Sequence, residues 1–257
     1  MTTRHLTILT GASRGMGLAI AEQLLRQGDV LLCISRRTSE ALAAQAKAAG
    51  ATLEQWPQDL AQAAQAAARI EVWLATHDAQ AFDSATLINN AATVPRISPL
   101  QDADAAELSN ALRVGLEAPL LLTAAFLRAT KHWRARRLGA CKVLNISSGL
   151  GRFAMASQAA YCAVKAGMDH YSRSVAMDEA QRSGGAKIVS LAPGVIDTDM
   201  QAQLRASDPA SFPDHARFVQ MKAQGQLDRP DEAAAKVLAF LHRADFGSKP
   251  VADVRDA

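Results

Sequence analysis

The chain has 257 residues, 49% hydrophobic and 21% charged, which is enough apolar material for one full core and rules out a disordered or collagen-like polymer. A net charge of +3 is too slight for a nucleic-acid footprint. Three scattered cysteines, Cys33, Cys141 and Cys162, are odd in number and lack metal-ligand spacing, so they read as small core hydrophobes in a reducing compartment.

These features set the expectation of a cytoplasmic protein with no metal, no nucleic acid and no membrane among its partners. The start, MTTRHLTILTGAS, runs from a few polar residues straight into a strand pattern, and no signal peptide is expected there. No apolar run approaches the ~20 residues that span a bilayer. The bases from Lys131 to Arg137 read as the solvated end of a helix, where cations suit the negative end of the dipole.

In chain order the strand candidates are LTILT at Leu6, VLLCIS at Val30, ATLEQW near Thr52, TLIN at Thr86, CKVLNIS at Cys141, KIVSLA at Lys187 and PVADV at Pro250. Alanine- and leucine-rich stretches between most of them are long enough for crossover helices. Such alternation predicts βαβ units and a parallel sheet covered on both faces. Neither a linker nor a fixed-period repeat divides the chain, so residues 1–257 read as a single domain. The longest stretch without a clear element, 197–226, is expected to be a substrate loop or lid.

The first strand ends in Thr10-Gly11-Ala12-Ser13-Arg14-Gly15-Met16-Gly17, and LAIAEQLLRQG follows with helical periodicity, Gly28 reading as its C′ residue. Glycines at such a turn permit its dihedrals and let backbone amides approach a pyrophosphate at the positive helix end. After the second strand, where an NAD-binding fold carries an acid for the ribose 2′-hydroxyl, this chain has Ser35-Arg36-Arg37. The guanidinium forks of Arg36 and Arg37, with Arg14 beside the turn, suit a 2′-phosphate and predict NADPH rather than NADH.

The fifth strand runs into Ser147-Ser148, and 13 residues after Ser148 comes Tyr161-Cys162-Ala163-Val164-Lys165. Tyr and Lys at i and i+4 share a helix face. An ammonium there draws a phenol down from its ordinary ~10, toward the range of a general acid, while a serine hydroxyl at the strand end holds a carbonyl oxygen.

Taken together, these motifs resemble the classical short-chain dehydrogenase/reductase family over nearly the whole chain. The resemblance implies a single doubly wound Rossmann-type α/β domain with a seven-stranded parallel sheet in the order 3-2-1-4-5-6-7. It implies Ser148, Tyr161 and Lys165 as the catalytic serine, tyrosine and lysine, with Tyr161 and Lys165 also on the nicotinamide ribose. The cofactor would lie on Gly11, Ser13, Arg14, Gly15, Met16 and Gly17. Asp59 and Leu60 would meet the adenine. In Asn89-Asn90-Ala91-Ala92, at the place of the family's NNAG, Asn90 and Ala91 would line the cofactor cleft. In Pro193-Gly194-Val195-Ile196-Asp197-Thr198, the residues Pro193, Gly194, Ile196 and Thr198 would hold the carboxamide.

The tail RPDEAAAKVLAFLHRADFGSKPVADVRDA is similar to those of sepiapterin-reductase-like and benzil-reductase-like members. That similarity implies a small-molecule ketone with a neighbouring oxygen function. Leu150, Phe153, Met155, Met200, Phe212, Phe218 and Met221 are the expected pocket wall. A homodimer or homotetramer is implied as well. One departure stands out: where the family carries a catalytic asparagine in the helix after the fourth strand, this chain has Gly115, with Pro119 four residues on. Asn110 is five residues too early to replace it. Alternatives to an NADPH-dependent carbonyl reductase are an NADP-dependent secondary-alcohol dehydrogenase and an NADPH-binding regulatory protein without turnover.

Overall fold

The computed structural model describes residues 4–134 and 141–256. Arg136 and Arg137 of the basic cluster lie outside them. Its elements run β1 (His5–Thr10), α1 (Gly15–Leu24), β2 (Val30–Ser35), α2 (Glu40–Ala49), β3 (Thr52–Pro57), α3 (Ala63–Ala75), β4 (Ser84–Asn89) and α4 (Ala105–Leu112). A π turn (Arg113–Glu117) joins α4 to α5 (Ala118–Ala129), followed by α6 (Lys131–Arg134), β5 (Cys141–Ile146), α7 (Ala159–Ala180) and β6 (Lys187–Ala192). The chain ends with α8 (Asp199–Arg205), α9 (His215–Ala223), α10 (Pro230–Leu241) and β7 (Val251–Asp253).

All seven strands pair in parallel, in the order β3-β2-β1-β4-β5-β6-β7. VLLCIS in β2 is buried along its whole length because helices cover both faces of the sheet. Side chains alternate between the two cores with the period of a strand. Val30, Leu32 and Ile34 point into one core with Ile70, Trp73, Leu122 and Phe126 of α3 and α5, and Leu31 and Cys33 into the other with Ile20, Val237 and Leu241 of α1 and α10. Between β1 and β4 the winding reverses, and their carboxyl ends open a crevice there, the usual ligand position in such sheets.

Three readings of the sequence are corrected. First, Gly28 does not cap α1, which ends at Leu24; Gly28, at φ +85°, shapes the turn into β2 and donates its N–H to the Gly50 carbonyl. Second, the stretch 197–226 contains two short helices, α8 and α9, seated through Leu204, Phe212 and Phe218 on a satellite core with Ile97. Third, the helical run 105–129 is long and apolar enough to cross a bilayer by length and composition. Half of its most apolar 18-residue stretch is buried, and its Ala118, Leu122, Ala125 and Phe126 pack into the sheet core, as a core helix does.

Candidate active site

The crevice is a cleft of about 1030 Å³ with the glycine turn as its floor. Two loops are tied together there. Thr10 Oγ1 accepts from the N–H groups of Asn90 and Ala91, each at 3.0 Å, and Asn90 Nδ2 donates back to the carbonyls of Thr10 and Gly11 at 3.0 and 3.2 Å. Asn90 thus braces the turn as well as lining the cleft, whereas Asn89 lies deeper and donates to Asn145 and Thr123.

Close backbone approach dictates the glycines. A Cβ on Gly17 would sit 2.1 Å from the Gly11 carbonyl oxygen and 2.5 Å from Asn90 Nδ2, and Gly11 itself has φ +73°. This is a bare cradle of the kind that admits a pyrophosphate, so the residues present fit a dinucleotide.

Most of the expected cofactor residues converge on the cleft. Ser13, Gly15 and Met16 line it at the turn, Asp59 and Leu60 after β3, and Pro193, Gly194, Ile196 and Thr198 after β6. Asp59 also caps a short turn, its Oδ1 accepting from Ala61 N–H at 2.9 Å. Arg36 stands exposed at the rim, with no ion-pair partner among the described residues. Arg37 is exposed and off the lining. Arg14 reaches over the cleft to Asp199 at the start of α8, at 2.6 Å. Both partners of that pair are largely exposed, so it contributes little to stability.

Ser148, Tyr161 and Lys165 meet on the opposite wall. Ser148 follows β5 in extended conformation, its Oγ accepts from Leu150 N–H at 3.2 Å, and its hydroxyl draws the Tyr161 phenol down against burial. One helical turn along α7, Lys165 Nζ stands 5.5 Å from the Tyr161 ring centroid and donates to the Ile146 carbonyl at 2.6 Å. Burial pulls the Lys165 ammonium down to about 8, against the opposing pull of Asp169. The phenol departs from expectation. Burial pushes Tyr161 up to about 12; the Ser148 hydrogen bond opposes this and the nearby Cys162 adds to it. Desolvation is the largest effect on the phenol, and Lys165 is bonded to a backbone carbonyl.

Gly115 lies in the π turn. Pro119 has no N–H for the carbonyl four residues back, and the helix widens instead, Ala118 N–H donating to the Arg113 carbonyl five residues back. The chain forms a bulge at this place. A Cβ on Gly115 would lie 2.6 Å from Val164 Cγ1, next to Lys165. The two residues are complementary. Gly115→Asn alone is therefore expected to overpack this contact at ~1–3 kcal/mol, roughly 2–12 °C in melting temperature, and Gly115→Asn with Val164→Ala to recover most of that loss. Calorimetry of both variants checks this; equal melting points for the single variant and wild type would refute it.

Of the expected pocket wall, Leu150, Phe153, Met155, Met200, Phe218 and Met221 line the cleft. Phe212 does not. It is fully buried and stacks on Phe218 at 5.6 Å, because it supports the α8–α9 segment from below. The residue-by-residue reading missed Gln158, buried and one turn before Tyr161, and Asp169, one turn beyond Lys165. Extending the Tyr161–Lys165 face by three residues before Tyr161 and four beyond Lys165 would have found both.

The short chain dehydrogenase family model matches residues 5–209. The chain is 33% identical to a benzil reductase ((S)-benzoin forming) of Bacillus cereus over 239 residues, 93% of this chain and 94% of the relative. It is 32% identical to the sepiapterin reductase of Meriones unguiculatus over 263 residues, 97% and 95% of the two chains. Among solved structures, a 3-oxoacyl-[acyl-carrier protein] reductase from Brucella melitensis in complex with NAD superposes with a TM-score of 0.79, covering 99% of this chain and 96% of that one, at 21% identity. With the family match spanning most of the length and the sheet order agreeing, the chain belongs to the short chain dehydrogenase family of oxidoreductases.

Proposed function

We propose that the chain is an NADPH-dependent carbonyl reductase with a Ser148-Tyr161-Lys165 site, acting on a small ketone that carries a neighbouring oxygen function, such as an α-dicarbonyl. The observation that carries the reading is the meeting of these three side chains on the wall of the cleft floored by the glycine turn. The kinship to benzil and sepiapterin reductases supports the substrate class.

In this reading the backbone of Gly11, Ser13, Gly15 and Met16 holds the pyrophosphate, with Gly17 admitting it. Asp59 and Leu60 bound the adenine, Asn90 and Ala91 the middle of the cleft, and Pro193, Gly194, Ile196 and Thr198 the carboxamide. Arg36, with Arg37 and Arg14 near it, takes the 2′-phosphate. When bound, the nicotinamide supplies the hydride. Ser148 holds the substrate oxygen and Tyr161 donates its proton to that oxygen as the carbonyl carbon is reduced to a secondary alcohol. A phenol held near 12 keeps its proton until negative charge develops on the oxygen. Lys165 grips the ribose and stabilises the phenolate left behind. Phe153, Met155, Phe218 and Met221 exclude water, the α8–α9 segment forming the lid over the substrate within a single catalytic domain. A cytoplasmic homodimer or homotetramer belongs to the same proposal; exposed Leu112, Leu120 and Met177 on α4, α5 and α7 supply apolar surface for it.

NADPH consumption against a panel of diketones and α-hydroxyketones tests the reading. Turnover supports it, and tight NADPH binding with no carbonyl reduced would favour the regulatory alternative. Cofactor choice has its own test. Arg36→Ala should weaken NADPH by about 10- to 150-fold, the ~1.5–3 kcal/mol of a charge-assisted bond, and leave NADH nearly unchanged. Equal losses for both cofactors would remove Arg36 from the 2′-phosphate site.

A further inference from the structure

Asp169 lies on α7, four residues beyond Lys165 and eight beyond Tyr161, and is 1% exposed. A carboxylate buried this far needs strong partners. Its Oδ1 accepts from Ser147 Oγ at 2.6 Å and from Ser190 Oγ of β6 at 2.7 Å. Its Oδ2 has no hydrogen-bond donor and faces Arg152 Nε at 3.5 Å. Ser147 precedes Ser148, and Arg152 follows the short turn Gly149–Gly151 that Ser148 begins. Between the two, Gly151 packs flat on the carboxylate: a Cβ there would lie 2.7 Å from Asp169 Oδ2 and 3.0 Å from the Lys165 carbonyl oxygen. Arg152 carries the connection outward, donating to the Ala252 carbonyl at 2.7 Å and standing 3.7 Å from Asp253, which Arg255 pairs at 2.6 Å.

We propose that Asp169 is a positioning residue: its carboxylate grips the Ser148 turn at both ends and docks it on the Tyr161–Lys165 face of α7, with Arg152 extending the grip to β7. The proposal rests on the reading of Ser148, Tyr161 and Lys165 as the reacting groups. An acceptor-only, negatively charged group is what this place requires, because two hydroxyls donate to it and a guanidinium stands beside it at ion-pair distance. An amide of the same shape would turn an NH₂ toward one of them.

The grip has an electrostatic side. The charged and titratable groups around Lys165 are Tyr161 and Asp169 on its own helix, Cys162 beside Tyr161, Arg152 from the loop after β5, and Asp253 of β7 behind Arg152. β5 and β6 meet this face with the neutral Ser147 and Ser190. Asp169 is the group that raises Lys165 against the larger pull of burial. Without its charge, Lys165 gives up its proton at lower pH, and a reaction that needs the ammonium loses its alkaline limb sooner.

The test compares wild type, Asp169→Asn, Arg152→Gln and the double variant as full-length enzymes, with NADPH and benzil. Asp169→Asn is expected to lower kcat roughly 10- to 100-fold through a misplaced Ser148, to keep NADPH affinity within about threefold, and to move the alkaline limb of kcat to lower pH. The double variant should be no slower than Asp169→Asn, because both changes break one contact. A kcat within twofold of wild type and an unmoved limb overturn the proposal. Should Asp169→Asn fail to fold, Ser147→Ala, which removes one donor of the same grip, must show the kcat loss at unchanged NADPH affinity, and full activity there overturns it equally. Tyr161→Phe runs alongside. If it is inert while Asp169→Asn is fully active, the grip alone fails; if both are fully active, the reading of the site fails with it.

Discussion

Tyr161→Phe is expected to lower turnover by ~10²–10⁴-fold while the protein folds and binds NADPH as before. The ring is buried against α7 and the Ser148 turn, and phenylalanine preserves that packing. What disappears is the hydroxyl and, in the proposed reaction, the transferable proton. Saturation kinetics beside a fluorescence titration of NADPH separates the two quantities. A variant that retains more than about a tenth of wild-type kcat would show that the proton comes from another donor.

Gly17→Ala is expected to act at the other end of the cleft and on binding rather than chemistry. The added methyl would meet the Gly11 carbonyl oxygen at 2.1 Å, and a backbone oxygen held by the turn cannot swing aside as a flexible side chain does. Room is made only by opening the turn, which breaks the bonds from Asn90 Nδ2 to the carbonyls of Thr10 and Gly11. Amides aimed at the pyrophosphate are then misplaced, and each charge-assisted bond lost costs ~1.5–3 kcal/mol, so NADPH affinity should fall on the order of 100-fold. Isothermal titration checks it. A loss under threefold would mean that the turn does not carry the dinucleotide.

Much of this architecture is legible in the chain because its signals are local. Buried parallel strands announce themselves as apolar runs, and VLLCIS, TLIN and KIVSLA were readable for that reason. The i, i+4 spacing of Tyr161 and Lys165 is likewise local. What escaped depends on partners far along the sequence. Arg14 finds Asp199 across 185 residues. The amphipathic character of α8 and α9 shows only against a satellite core that Ile97 helps to build. Phe212 and Phe218 look alike in sequence, yet one is a buried support and the other lines the cleft, a difference set by how the segment folds over the opening. The tyrosine's acidity escaped for a related reason, since a spacing argument counts the ammonium but not the desolvation that α7 imposes on both groups.

The fit of Gly115 against Val164 also bears on how this site can change over evolutionary time. Adding a side chain at 115 first drives it into Val164 Cγ1; shrinking Val164 first leaves a void on the order of 2 kcal/mol in a packed wall beside Lys165. Either order crosses a less stable intermediate, so the two positions are coupled: each substitution costs less once the other is in place. A lineage that has acquired the valine is thereby held to the glycine, whatever advantage an amide side chain at that bulge would confer on the reaction.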